Sequence, residues 1–246
     1  MKKQILFLLI TLLLFGCSQP YSTTTTTTTD DIIQLTDGQI QGKLNIVNGA
    51  SAECVMHNFF VTSDWMQIEG EIGRNGIDGL YIKKEDEIVK EVLVAESKWN
   101  SGSLGKSGVN KLIKQMSKDW ILNTLNKLRD KNSDMDYKQI EKLVKNDQYR
   151  ARLFKLIPKE DKLQILLYKL TNKGSNNFEM NKYNTIDNID INKPKNTFEQ
   201  ILVTSYNDCR KTALVKYFPM LSSSDIEKLL LDNHLQKRDI KSVLGY

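Results

Sequence analysis

Two β-type runs, "IDGLYIKK" (residues 77–84) and "EIVKEVLVAESKW" (residues 87–99), are separated by little more than a charged turn, and they restrict what this chain can fold into. Segments rich in Val, Ile, Leu and Tyr, joined so tightly, pair as an antiparallel hairpin. With the turn centred near Glu87, Asp78 and Glu96 stand the same number of residues either side of it and face one another, directly or on the diagonal. Their Cβ atoms are then within about 4.5–8 Å. Glu96 and Lys98 are two apart and share a face. Val92 and Val94 precede them on it, so an apolar strand face is interrupted by an acid and then a base.

Two carboxylates this close repel, and one of them must titrate high. A divalent cation removes the conflict, because carboxylate oxygens suit Mg²⁺ and Mn²⁺. Such an ion can polarise a phosphodiester oxygen and acidify a water, with Lys98 orienting that water or meeting the charge that develops on phosphorus. A plainer reading stands beside each residue. Asp78 in "NGIDG" also suits a turn, and Glu96 with Lys98 also suits a weak surface ion pair. His57 and His234 have no partner spacing and read as structural.

The stretches "GIDGLY", "VAESKW" and "KQMSKDWI" resemble the PD-(D/E)xK, restriction-endonuclease-like nuclease superfamily, most closely bacterial toxin-type members. The resemblance spans roughly residues 49–128. It implies a small mixed β-sheet flanked by helices and a Mg²⁺- or Mn²⁺-dependent endonuclease. Asp78 and Glu96 would then be the metal-binding acids and Lys98 the catalytic lysine. Gln115 would be a helical glutamine near the site, and Glu53 an acid completing the cluster. Glu69 and Glu71 compete for the role of Glu53, and Ile77 stands where the superfamily's proline would be.

From Lys98 to Lys131 there are eight Lys or Arg residues against Asp119 and Asp130, a local excess of six positive charges. Lys106, Lys111, Lys114 and Lys118 are therefore candidate nucleic-acid contacts, DNA before RNA, although a solvated helix face carries lysines too. The whole chain carries +5.

The chain opens "MKKQILFLLITLLLFGC". Its apolar run is about half the length that spans a bilayer and reads as a signal peptide over residues 1–16. "LFGC" resembles a lipobox, which implies lipid on Cys17 and anchoring to a bacterial membrane. Ser18 after it points to the outer membrane or cell surface. Residues 17–31, with seven consecutive threonines, read as a tether. Cys54 and Cys209 either pair in an oxidising compartment or stay as buried thiols.

The expected class is α/β, with a nuclease-like domain over residues 32–130 and a mostly α-helical C-terminal region over residues 131–246. Helices are expected over residues 51–60 and 109–128, and "DWMQIEGEI" alternates as a strand. "YKQIEKLVKNDQYRARLFKLI" and "EDKLQILLYKL" read as helical. An Asn-rich segment of about 25 residues after them reads as a polar connection, too long to be usual inside a compact domain. Ser224 and Glu227 suggest a capping box before a last helix. Besides a nuclease, paired with an inhibitor protein if it is a toxin, two other classes stay open. One is a non-catalytic surface lipoprotein that binds nucleic acid or a protein partner. The other is a structural envelope lipoprotein.

Overall fold

In the computed structural model, which describes residues 34–68, 76–107, 113–129, 135–171, 179–233 and 235–245, the expected hairpin forms part of a larger sheet. Strands β2 (Gly79–Glu85) and β3 (Ile88–Trp99) run antiparallel. They turn at Asp86 and Glu87, whose φ angles of 49° and 62° match the twist of a two-residue hairpin. Gly79 lies opposite Ala95 and Leu80 opposite Val94. An irregularity between Lys83 and Lys84 absorbs a residue near the turn, so the far end keeps the expected Asp78–Glu96 alignment.

β1 (Met66–Ile68) pairs with β2 on one side. On the other side β3 pairs in parallel with a strand far along the chain, Arg150–Lys159. Between them comes a two-stranded ribbon, β4 (Lys106–Ser107) and β5 (Ile113–Lys114). The distant strand is therefore β6. It continues antiparallel into β7 (Lys162–Thr171) and β8 (Glu179–Asp190). The order β1-β2-β3-β6-β7-β8 makes a mixed, open sheet.

Helices cover both faces. α1 (Asp37–Val61) and α4 (Thr197–Tyr217) enclose Leu93, Ala95, Phe154 and Leu156 on one face. α2 (Lys118–Arg129) and α3 (Met135–Lys145) enclose Val92, Val94, Ala151 and Leu153 on the other. α5 (Ser223–Leu230) and α6 (Lys237–Leu244) pack with the start of α1 and the end of α4 around Ile40, Leu44, Leu214 and Phe218. The α/β class is as expected. No helix among the described residues is long and apolar enough to cross a membrane.

The expected division at residue 130 does not hold, nor does the mostly helical C-terminal region. Leu35–Tyr246 form one unit, and residues 150–190 complete the sheet begun by the hairpin. β6 is buried on both faces, with Ala151 and Leu153 on one and Phe154 and Leu156 on the other. Burial on both faces erases the period-two signal of a half-exposed strand. β8 lies in the segment read as a polar connection. It is an edge strand with mostly exposed side chains, so its composition hides its pairing.

The helices also shift. α1 starts well before residue 51, where Thr36 and Gln39 form a capping box. Ile40, Leu44 and Val47 carry its apolar stripe through a Gly- and Asn-containing stretch. α2 starts at Lys118 rather than 109, with the Ser117 hydroxyl accepting from the Trp120 N–H. The capping box of α5 is made by Ser222 and Asp225, not Ser224 and Glu227. The signal segment, Cys17, the threonine tether, Glu69, Glu71, Lys111 and His234 lie outside the described residues.

Candidate active site

At the end of β3 the apolar face gives way as the sequence suggests. Val92 and Val94 pack against α2 and α3, and the next residue on that face is Glu96, only 1% exposed. A cleft of about 440 Å³ opens there. Asp78, Glu96, Lys98 and Gln115 line it, with Glu53 and Lys106 at its walls.

Each acid is held by different neighbours. Asp78 Oδ2 accepts from both the backbone N–H and the hydroxyl of Ser97, at 2.9 and 3.0 Å. Glu96 Oε1 accepts from Lys98 Nζ at 2.7 Å and from the Gln115 side-chain amide. Glu96 Oε2 is buried and receives no N–H or hydroxyl donor among the described residues, while the Asp78 carboxyl lies within reach to share a proton with Glu96. Burial, followed by the negative charge of Asp78, pushes the Glu96 carboxyl well above the usual carboxylate range, while Lys98 opposes the shift. A buried acid with one oxygen that receives no such donor is costly to keep unless something else occupies the site in the working protein.

That cost predicts a stability effect. Below the ordinary glutamate value of about 4.3 both folded and unfolded chains are protonated and Glu96 costs nothing. As pH rises past it the unfolded chain loses the proton first, so stability falls until the folded carboxyl also titrates. In EDTA, Glu96→Gln is expected to melt about 3–6 °C above the parent at pH 8, reflecting about 1–2 kcal/mol, with the gap closing towards pH 4. Melting curves at both pH values check this, and an equal or lower Tm at pH 8 contradicts it.

Gln115 is in the cleft but not on a helix. It occupies the turn before α2. Its backbone N–H donates to the Gly105 carbonyl, and its side-chain oxygen accepts from the Gly105 N–H at 3.0 Å. Gln115 thus ties the loop of residues 100–105 to Glu96. Glu53, on α1, lines the cleft. Among the described residues no group of three or more His, Cys, Asp or Glu could hold a metal ion, so Glu53 does not complete a three-acid cluster with Asp78 and Glu96.

The basic residues divide. Lys106 lines the cleft and lies directly opposite Lys114 across the β4–β5 ribbon. Like charges placed directly opposite one another repel. Lys118 is instead paired with Asp147 at 3.0 Å. His57 stacks on Tyr81 with ring centroids 6.2 Å apart, and burial lowers its pKa.

Three residues passed over in the sequence matter here. Ser97, between Glu96 and Lys98, fixes Asp78. Tyr81 is fully buried on the α1 side, and burial, then Glu53 and Asp78, raise its pKa. Gly79 leaves room for it, since a Cβ there would come within 2.7 Å of the Tyr81 hydroxyl and collide with its ring. The glycine of "IDG", the first residue of β2, is thus required by packing against Tyr81. No protein-family model, curated protein or solved structure matches the chain.

Proposed function

We propose that the chain is a metal-dependent nuclease that hydrolyses phosphodiester bonds, DNA before RNA. The observation that carries this reading is the convergence in one cleft of Asp78, a buried Glu96 with an oxygen that no N–H or hydroxyl among the described residues reaches, and Lys98 hydrogen-bonded to that same glutamate. Asp78 and Glu96 would hold Mg²⁺ or Mn²⁺. The donors suit it, because Asp78 meets Ser97 through Oδ2, the Asp78 and Glu96 carboxyls approach within hydrogen-bonding reach of each other, and Glu96 Oε2 receives no N–H or hydroxyl donor among the described residues. Such an ion supplies Lewis-acid stabilisation of charge on a phosphoryl oxygen.

The chain's own groups do the rest. Lys98 keeps an ammonium beside Glu96 where charge grows during phosphoryl transfer. Gln115 and Ser97 fix the two carboxylates, and Lys106 offers a charge to the phosphate backbone. Glu53 is a cleft-wall residue that adds negative charge near Asp78.

The lipobox-like "LFGC" supports anchoring of the exported chain through Cys17, in the outer membrane or at the cell surface. The Cys54–Cys209 disulfide suits an oxidising compartment. Purified residues 31–246 are expected to nick supercoiled plasmid with Mg²⁺ or Mn²⁺ and to stop in EDTA. Failure to cut DNA or RNA with either ion removes the proposal. That no third acid joins Asp78 and Glu96 among the described residues favours one second reading, a lipoprotein that binds nucleic acid or a protein partner without cutting. Salt-sensitive DNA binding with no metal-dependent product would select it.

A further inference from the structure

A second hollow, of about 480 Å³, lies on the far side of the loop of residues 100–105, lined by Asn100, Ser101, Lys155, Pro158, Lys159 and Tyr168. The same loop walls both cavities, since Ser103 and Gly105 face the cleft. It is held close. Asn100 donates its N–H to the Leu156 carbonyl, and a Cβ at Gly102 would sit 3.3 Å from the Lys98 side chain.

The sheet register explains why the two cavities adjoin. β3 and β6 are parallel, with Glu96 beside Leu153 and Lys98 beside Lys155. Register partners project to the same face, so Lys155 continues the row that begins with Lys98. α2 and α3 cover this face as far as Leu153 and Leu170. Beyond them it is open, with Lys155, Ile157, Leu166 and Tyr168 half-buried and Lys159 exposed. Lys155 Nζ lies over the Tyr168 ring, 5.8 Å from its centroid, so a base stacking there takes the lysine's place as the lysine turns to a phosphate. Lys182, on β8, is exposed and faces Tyr168 across the strands. The charge is complementary to a phosphate chain. Lys155, Lys159 and Lys182 are all cations, although Glu160 and Asp161 occupy the turn after Lys159.

We propose that this open face is a second nucleic-acid subsite, which holds the unpaired strand as it leaves the cleft. It takes phosphates on Lys155 and Lys159 and a base on Tyr168. The inference rests on the nuclease reading of the cleft and gives the region after residue 130 a share in substrate binding. Cation and aromatic side chains together hold single strands without reading sequence. A duplex keeps its base faces covered and offers nothing to stack on Tyr168.

The test uses the full chain in detergent. In EDTA, binding of a labelled single-stranded DNA of about 20 nucleotides, longer than such sites occupy, is followed by anisotropy across a salt series. Lys155→Ala/Lys159→Ala is expected to weaken binding about tenfold or more and to lower the salt slope by about 1.4, two phosphate contacts' worth. Tyr168→Leu should weaken it about 5- to 100-fold with the slope unchanged. Lys216→Ala/Lys228→Ala, on α4 and α5, serves as the charge control and should bind as the parent does.

With Mn²⁺, hydrolysis of bis(p-nitrophenyl) phosphate, too short to reach beyond the cleft, should be the same in parent and variants. Parent-like oligonucleotide binding by both the double variant and Tyr168→Leu, in a protein whose parent hydrolyses the small diester, overturns the subsite and leaves the nuclease reading standing. A parent that neither binds the oligonucleotide nor hydrolyses either substrate overturns both.

Discussion

Lys98→Ala is expected to lower the rate of metal-dependent cleavage about 100- to 1,000-fold while leaving the melting temperature within a degree or two. The rate term follows from the position of the ammonium. It is held 2.7 Å from Glu96 Oε1 at the cleft, where it can meet negative charge that grows only during reaction. Removing one such preorganised donor typically costs about 3–4 kcal/mol of transition-state stabilisation. Stability should barely change because two effects oppose. The variant loses an ion pair, but Glu96, already buried and shifted towards its neutral form, can stay protonated without the lysine.

Lys98→Arg separates charge from geometry. A guanidinium keeps the positive charge but is planar and longer, so most of the loss should remain. Cleavage of a labelled oligonucleotide under single-turnover conditions, with Tm measured on the same samples, checks both parts. A Lys98→Ala variant that cuts as fast as the parent removes Lys98 from the chemistry. A loss of activity accompanied by a large fall in Tm shows instead that the residue supports the fold.

The hairpin was the most legible part of the chain. Its two arms are rich in β-branched and aromatic residues and its turn is short, so the facing residues follow from counting, and the irregularity at Lys83–Lys84 lies near the turn, away from the site. The interruption of the Val92–Val94 face by Glu96 was legible for the same reason. Ser97 was not, because a serine in a strand has no marker for the carboxylate it will bind, and Asp78 reaches it only once β2 and β3 are paired. Gln115 was legible as a neighbour of the site but not in its conformation. "VNKLIKQMSKDW" carries helical spacing, yet Ser117 caps the helix after Gln115, and Met116 adopts a φ of 70°. β6 reads as a helix because a strand buried on both faces loses alternation, and β7 because Leu166 and Tyr168 put apolar residues on its half-buried face as well as on its buried one. The open face beside the cleft was therefore out of reach, since it exists only through the pairing of β3 with β6.

Removing the Cys54–Cys209 disulfide is expected to be the most damaging change to stability among those considered. The bond joins α1 to α4 across a sequence separation of 155 residues. A cross-link over so long a loop removes much of the freedom of the unfolded chain, about 5 kcal/mol in the chain-entropy description, and measured losses for native disulfides run about 2–5 kcal/mol. For a domain of this size that is a fall in Tm of about 10 °C. The surroundings add to it, because Cys209 is buried in the core that α1 and α4 build against the sheet and Asn58 reaches across to Ser205 beside it at 2.8 Å. Cys54→Ala/Cys209→Ala should therefore melt well below the parent. A reducing agent should bring the parent down to nearly the same value and leave the double variant unmoved. Cleavage measured well below both melting temperatures should fall far less than in Lys98→Ala. Among the described residues α1 contributes Gly49 and Glu53 to the cleft wall, whereas Glu96 and Lys98 are on β3 and Asp78 immediately precedes β2. A double variant as stable as the oxidised parent would show that packing between α1 and α4 holds the helices without the bond. One that keeps its Tm but loses cleavage would place α1, and Glu53 on it, nearer to the chemistry than the geometry of the cleft does.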